Sequence, residues 1–223
     1  IGVGGGIPLL GAPVTTRVML VRHGATVLSA EDLFAGASDV PLGDEGRMQA
    51  QRLAERLATN SIAAVYGSPL RRAFETATIL AKPHDLKVKL LDDLREIDHG
   101  RWEGLRRDEA ATTYPEEYAA WEHDPFTFAP TGGEPGQHVL ERGLRAFQQI
   151  VLAHPGERVL VVSHKATIRL IIAHVLGIDP RGYRDRLDQQ PACLNTIDMY
   201  PDGTGRLILL NDVSHYTWTL RQT

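Results

Sequence analysis

A three-layer α/β/α sandwich with a mostly parallel central sheet is the fold class this sequence predicts. Three observations predict it. Short apolar runs alternate with stretches of helical spacing, the order that covers a parallel sheet on both faces. Two of those runs, "VMLVRHGAT" and "VLVVSHKAT", share one form: a strand, a polar residue, a histidine and a short turn into polar sequence. The 223 residues are 43% hydrophobic, enough for one domain with a sizeable core.

Taken in order, Arg17 to Val21 reads as a buried strand. Gly43 to Ala58 places Ala50, Leu53, Ala54 and Leu57 at helical spacing. Ile62 to Tyr66 is a second strand. "SPLRRAFETATILAK" reads as a helix with Ser68 at the N-cap and Pro69 in its first turn. Lys87 to Leu91 is a third strand, Val139 to Ala153 an amphipathic helix and "RVLVVSH" a fourth strand. "ATIRLIIAHVLG" is a helix ending at Gly177. "TIDMY" and "RLILL", joined by "PDGTG", read as a closing hairpin. Residues 101–135 have weak periodicity and hold Trp102, Trp121, Phe126 and Phe128, which suggests short helices and loop forming a lid-like insertion. Residues 1–16 are glycine-rich and are expected to be a flexible tail, leaving 17–223 as one domain.

Composition narrows the function. A net charge of −4 argues against a general nucleic-acid binder, so an anionic substrate requires a local cluster of cations. No run of 18 apolar residues is present, so no membrane span is expected. The first residues lack the basic start and apolar core of a secretory signal. Cys193 is the only cysteine, which fits a reducing cytoplasm.

Ligands of open α/β sheets sit beyond the carboxyl ends of the strands. If the two echoed strands are parallel neighbours, His23 and His164 meet in one site. Arg71 and Arg72 open a helix that follows a strand, where free N–H groups favour anions and guanidinium grips phosphate. Glu96, just after the third strand, adds a carboxylate suited to proton transfer.

Four segments in order, "VRHGAT", "SPLRRAFETA", "LREIDHGRWEG" and "VVSHKATIR", resemble the histidine phosphatase superfamily, in the phosphoglycerate mutase-like branch. "FAGASDVPLGDEG" extends the first motif, with Phe34, Gly36, Asp39 and Leu42 where the pattern expects them. The resemblance runs from about Val18 to about His215. It implies that His23 is a nucleophile forming phosphohistidine, and that Arg22, Arg72 and His164 surround the phosphoryl oxygens. It makes Glu96 the proton donor, and it requires no metal and no other cofactor. Arg72, immediately before alanine, takes the family's phosphate position, while Arg71 is expected to be solvated.

Two departures stand out. Ser29 occupies the place of a phosphate-touching asparagine in the mutases, and Lys165 replaces a common glycine. Both are candidate phosphate-binding residues, although Lys165 has solvent as its alternative. The acidic and aromatic stretch after Glu96 favours a phosphatase over a mutase, with an uncharged or partly apolar leaving group. Arg106 and Arg107 are read there as helix surface. The expected partners are a small phosphorylated substrate, a phosphate or sulfate ion in the pocket and, as the open oligomeric option, a second copy in a homodimer. A mutase remains the alternative enzyme, and a binding module without turnover the alternative class. His99 borders the site or packs beside it, and His215 has no assigned place.

Overall fold

The computed structural model describes residues 14–27 and 33–217. The expected tail up to residue 13, and Ser29, lie outside the described residues. Six strands form one sheet: β1 (Thr16–Arg22), β2 (Ala64–Gly67), β3 (Val88–Leu90), β4 (Arg158–Ser163), β5 (Leu194–Met199) and β6 (Gly205–Asp212). Their order is β3-β2-β4-β1-β5-β6. β1 to β4 are parallel to one another where they pair, and β5 and β6 close the sheet antiparallel. β1 and β4 are therefore parallel neighbours, with Arg22 opposite Ser163. This single pairing sets the tips of the two echoed motifs side by side.

The helices are α1 (Asp44–Leu57), α2 (Arg71–Ala81), α3 (Arg107–Thr113), α4 (Pro115–His123), α5 (Gly136–Ala153), α6 (Lys165–Val175), α7 (Tyr183–Arg186) and α8 (Ser214–Thr217). The apolar stripes of α5 and α6 bury Phe147, Ile150, Ile168 and Ile171 against one face of the sheet. α1 and α2 bury Leu53, Leu57, Ala77 and Leu80 against the other. Burial on both sides explains why β1 and β4 are near-continuous apolar runs rather than alternating ones.

The start of α2 differs from the sequence reading. Its N-cap is Leu70, and the Ser68 hydroxyl instead accepts from the Leu70 N–H at 3.3 Å. Ser68 and Pro69 thus shape the turn that precedes the helix. Gly177, with φ of 65°, ends α6 in the left-handed region as expected.

A third, smaller core lies in the segment after Glu96. Phe34, Trp102, Ala110 and Trp121 are buried together, with Tyr114, Tyr118 and Phe128 packed against them. Phe126 departs from this group and packs against the α5–α6 core. Phe34, Trp102, Tyr118 and Trp121 therefore satisfy one another, in tilted and edge contacts of 5.2–5.7 Å between ring centroids.

Candidate active site

The polypeptide leaves β1 at Arg22 and stops at once. The His23 N–H donates to the Ser163 carbonyl at 3.0 Å, and the Ala192 N–H donates to the His23 carbonyl at 3.1 Å. Gly24 is required next, because a Cβ there would strike the carbonyl oxygen of Gly46 in α1. Only glycine lets the first turn of α1 approach the loop this closely.

His23 is 6% exposed and His164 is fully buried, with ring centroids 5.1 Å apart. His23 Nδ1 lies 2.8 Å from the Gly24 carbonyl oxygen. A carbonyl only accepts, so Nδ1 carries the proton and Nε2 presents its lone pair to the cavity. Burial, then the charges of Arg72 and Arg22, hold the His23 pKa well below its ordinary 6.5. His164 is held well below 6.5 by burial and then by Arg72. Both rings are neutral near pH 7, so cationic charge around them comes from guanidinium groups rather than from histidine.

Those guanidiniums are anchored by backbone. Arg72, 2% exposed, donates to the carbonyls of Ser38 at 2.6 Å, Gly36 at 2.7 Å and Ala35 at 3.2 Å. Arg22 donates through Nη1 to the Gln189 carbonyl at 2.6 Å, while its buried Nε has no partner. The loop that receives Arg72 is fixed in turn by Glu103. Its carboxylate accepts from the N–H groups of Gly36, Ala37, Ser38 and His99 at 3.0–3.1 Å. The Ser38 hydroxyl donates to it as well, at 2.5 Å.

Glu96 sits at the N-terminus of α6. It accepts from the N–H of Ala166 at 3.1 Å and of Thr167 at 3.2 Å, and from the Thr167 hydroxyl at 3.3 Å. Free N–H groups at a helix start are natural partners for a carboxylate. Glu96 thereby joins β3's exit to the helix that follows His164.

Arg22, His23, Arg72 and Glu96 line one cavity of about 410 Å³, together with Phe34, His99, Arg107, Trp121, Lys165, Arg169, Tyr183, Arg184, Asp188 and Gln189, among others. The cavity brings together Arg22, His23, Arg72, Glu96 and Lys165, which the sequence nominated from four separated motifs, while His164 lies fully buried behind His23, 5.1 Å away, and is not part of the wall. Lys165 therefore borders the cavity, and so does His99. Arg71 is exposed, and its N–H donates to Asp39. Arg106 is exposed and caps α3. Arg107 is exposed on α3, as its surface reading has it, and also reaches the cavity rim, 5.5 Å from the Phe34 ring centre and 5.4 Å from that of Trp121. His215 stands elsewhere, on α8 against α1, where burial lowers its pKa to about 4.

The segment 178–193 carried no functional expectation, yet it supplies a cavity wall. α7 contributes Tyr183 and Arg184, and the loop after it contributes Asp188 and Gln189. The Gln189 side chain donates to Asn195, which donates to the Leu20 carbonyl inside the sheet at 3.1 Å. No short motif announces such a wall. Its only signal was buried polar residues beside a strand.

Among the described residues no three His, Cys, Asp or Glu side chains cluster in a way that could hold a metal ion. No described helix is long and apolar enough to cross a membrane.

Comparisons with known proteins agree with this geometry. A family model described as the histidine phosphatase superfamily, branch 1, matches residues 18–213. A bifunctional protein of Mycobacterium tuberculosis is 37% identical over 90% of this chain, which spans about half (55%) of that relative's length. The solved structure of YhfR from Bacillus stearothermophilus superposes with a TM-score of 0.84 at 33% identity, covering 90% of this chain and 98% of that one. A mycobacterial glucosyl-3-phosphoglycerate phosphatase, solved with inorganic phosphate, gives 0.78 at 27% identity, covering 92% and 99%. The fold, the order of its motifs and the span of the family match lead to one conclusion: the chain belongs to branch 1 of the histidine phosphatase superfamily.

Proposed function

We propose that the chain is a metal-independent phosphomonoesterase that works through a phosphohistidine on His23. One observation carries the reading. The His23 Nδ1–H donates to the Gly24 carbonyl, which leaves Nε2 unprotonated inside a cavity ringed by anchored guanidiniums.

In the first step Nε2 attacks phosphorus in line, and the bond to the leaving alcohol oxygen breaks. Glu96 gives that oxygen a proton. In the second step a water oxygen attacks the phosphoryl group, the N–P bond breaks and Glu96 takes the proton back. Arg22, Arg72 and His164 stabilise the charge spread over the equatorial oxygens, with N–H donors that need no reorganisation. A neutral His164 suits this task, since it can donate one hydrogen bond without repelling the two guanidiniums. The guanidiniums supply the positive charge that a metal ion supplies in other phosphatases.

Glu96, which the family resemblance makes the acid, shares the cavity wall with one other carboxylate, Asp188. Burial raises the Asp188 pKa, but hydrogen bonds from Gln190 and Gln189 and the charge of Arg169 outweigh it and hold the group low. Asp188 is thus kept ionised and cannot donate. Lys165 borders the cavity on the side of α6 and adds charge to the incoming phosphate. We assign residues 101–135 as a lid whose aromatic cluster is its own core. Similarity to a phosphatase solved with inorganic phosphate supports hydrolysis over phosphoryl exchange.

The test is phosphate release from an aryl phosphate in the presence of a chelator, for wild type and His23→Ala. Chelator-resistant release in the wild type that disappears in the variant supports the reading. Release that the substitution leaves intact would overturn it.

A further inference from the structure

The cavity holds more positive charge than a phosphoryl group can use. Its wall carries six Lys and Arg side chains, Arg22, Arg72, Arg107, Lys165, Arg169 and Arg184, against two carboxylates, Glu96 and Asp188. A phosphate dianion between Arg22 and Arg72 leaves the α6–α7 side of the wall still cationic. This is opposite to the uncharged leaving group that the acidic and aromatic sequence after Glu96 suggested. The acidic residues of that segment mostly face outward, with Arg101 paired to Glu117 on the surface, while its aromatics, Trp121 excepted, pack away from the cavity wall.

Three cations form this second side. Arg184 holds its guanidinium carbon 4.0 Å from the Trp121 ring centre and pairs with Glu122 at 3.2 Å. Its side chain is 13% exposed, so its position is fixed by packing on the indole. Arg169 projects from α6 with a side chain 11% exposed. Its contact to Asp188 is long, 3.5 Å, and its buried Nε has no partner. Lys165 stands one turn before Arg169 on the same helix, and burial together with Arg169 lowers its pKa. Cations gathered this closely repel one another, and a buried guanidinium N–H without an acceptor is costly. An anion placed between α6 and α7 relieves both.

We propose that Lys165, Arg169 and Arg184 form a second anion subsite, which selects phosphomonoesters whose leaving alcohol carries a carboxylate or a second phosphate. The proposal deepens the hydrolytic reading and rests on it for the place of the scissile phosphate. Arg169 Nε and the outer edge of Arg184 supply charge-assisted donors, and Lys165 bridges the space between the two anions.

The experiment uses matched probes on propane and hexane scaffolds. Each has one phosphate ester at one end and a hydroxyl, a carboxylate or a second phosphate at the other. For the wild type we expect kcat/KM for at least one anionic probe to exceed that for its hydroxyl partner by roughly 10- to 100-fold. Preference for carboxylate or for phosphate identifies which anion is used. Arg169→Gln and Arg184→Gln should each reduce that ratio by about 10-fold or more, with Tm recorded to confirm folding. Ratios near one in the wild type on both scaffolds would overturn the subsite. So would ratios unchanged in both folded variants. Calorimetric binding of the same probes to His23→Ala separates the two readings. If binding keeps the anionic preference while the wild type releases no phosphate, the hydrolytic reading fails and the subsite stands. If His23-dependent release shows no preference, the subsite fails alone.

Discussion

The two ends of the cavity are held in different ways. At the phosphoryl end, charged groups are tied to backbone: Arg72 to three loop carbonyls, Arg22 to the Gln189 carbonyl and His23 to the Gly24 carbonyl. At the far end they rest on side chains: Arg184 on Trp121 and Glu122, Arg107 near Phe34 and Trp121, Arg169 beside Asp188. A backbone carbonyl survives almost any substitution at its residue, so geometry set by carbonyls resists sequence change. A guanidinium resting on an indole moves or vanishes with one substitution. The difference separates a proposed reaction centre fixed by backbone from a proposed recognition wall held by side chains, on one scaffold.

Substitutions at the two ends should therefore fail in different ways. The largest effect is expected at His23, where His23→Ala should lower kcat/KM by roughly 10⁴-fold or more while leaving a folded protein. Loss of a comparable rate with glutamine at Arg184 would erase the distinction between the ends. Next comes Trp102, fully buried in the aromatic cluster. Trp102→Ala should cost about 3–5 kcal/mol in urea unfolding, and a change within 1 kcal/mol would show that the cluster does not support the far wall. Arg72→Lys should lower kcat by about 10²- to 10³-fold with little change in Tm, because an ammonium cannot reproduce a fork onto three carbonyls. A fully active lysine variant would mean that charge alone suffices at the phosphoryl end.

The smallest effect is in pH. His23 and His164 titrate in the folded protein well below 6.5, chiefly through burial. Below pH 6.5 the unfolded chain takes up protons at these positions that the folded chain refuses. Stability from this source is fully present above about pH 6.5 and declines as pH falls below it, by about 1.4 kcal/mol per pH unit for each histidine. Denaturant unfolding at several pH values would show the slope, and His164→Asn should make it shallower. A slope identical to wild type would remove His164 from the account.

The same contrast governs what could be read in the sequence. The phosphoryl end was legible because it hangs on strand tips and a helix start, where local pattern and short motifs coincide. Arg22, His23, Arg72, Glu96 and His164 each stood at such a place. The far end was not legible, because its members meet only through packing. Arg107 is helix surface, as it looked, but nothing in its sequence tells that α4 sets Trp121 beside it at the cavity rim. Arg184 and Asp188 lay in a stretch with no periodicity, and nothing in "GYRDRLDQQ" tells that α7 turns toward the cavity. Ser68 was misread as a cap for a related reason. A serine before proline serves a turn or a helix equally well in sequence, and the helix takes its cap two residues later, at Leu70.

The pairing of β1 with β4 has a consequence for how the chain comes into being. Arg22 stands opposite Ser163, so the reaction centre straddles most of the polypeptide. During synthesis from the N-terminus, β1, α1, β2 and α2 can collapse together early, but His23 lacks its neighbour until β4 has been made and inserted between β1 and β2. Insertion into the middle of a sheet closes a long loop late, the slow kind of step in folding. A nascent chain ending before residue 164 therefore carries His23 without its partner ring, and the proposed site is complete only when the central strand is in place.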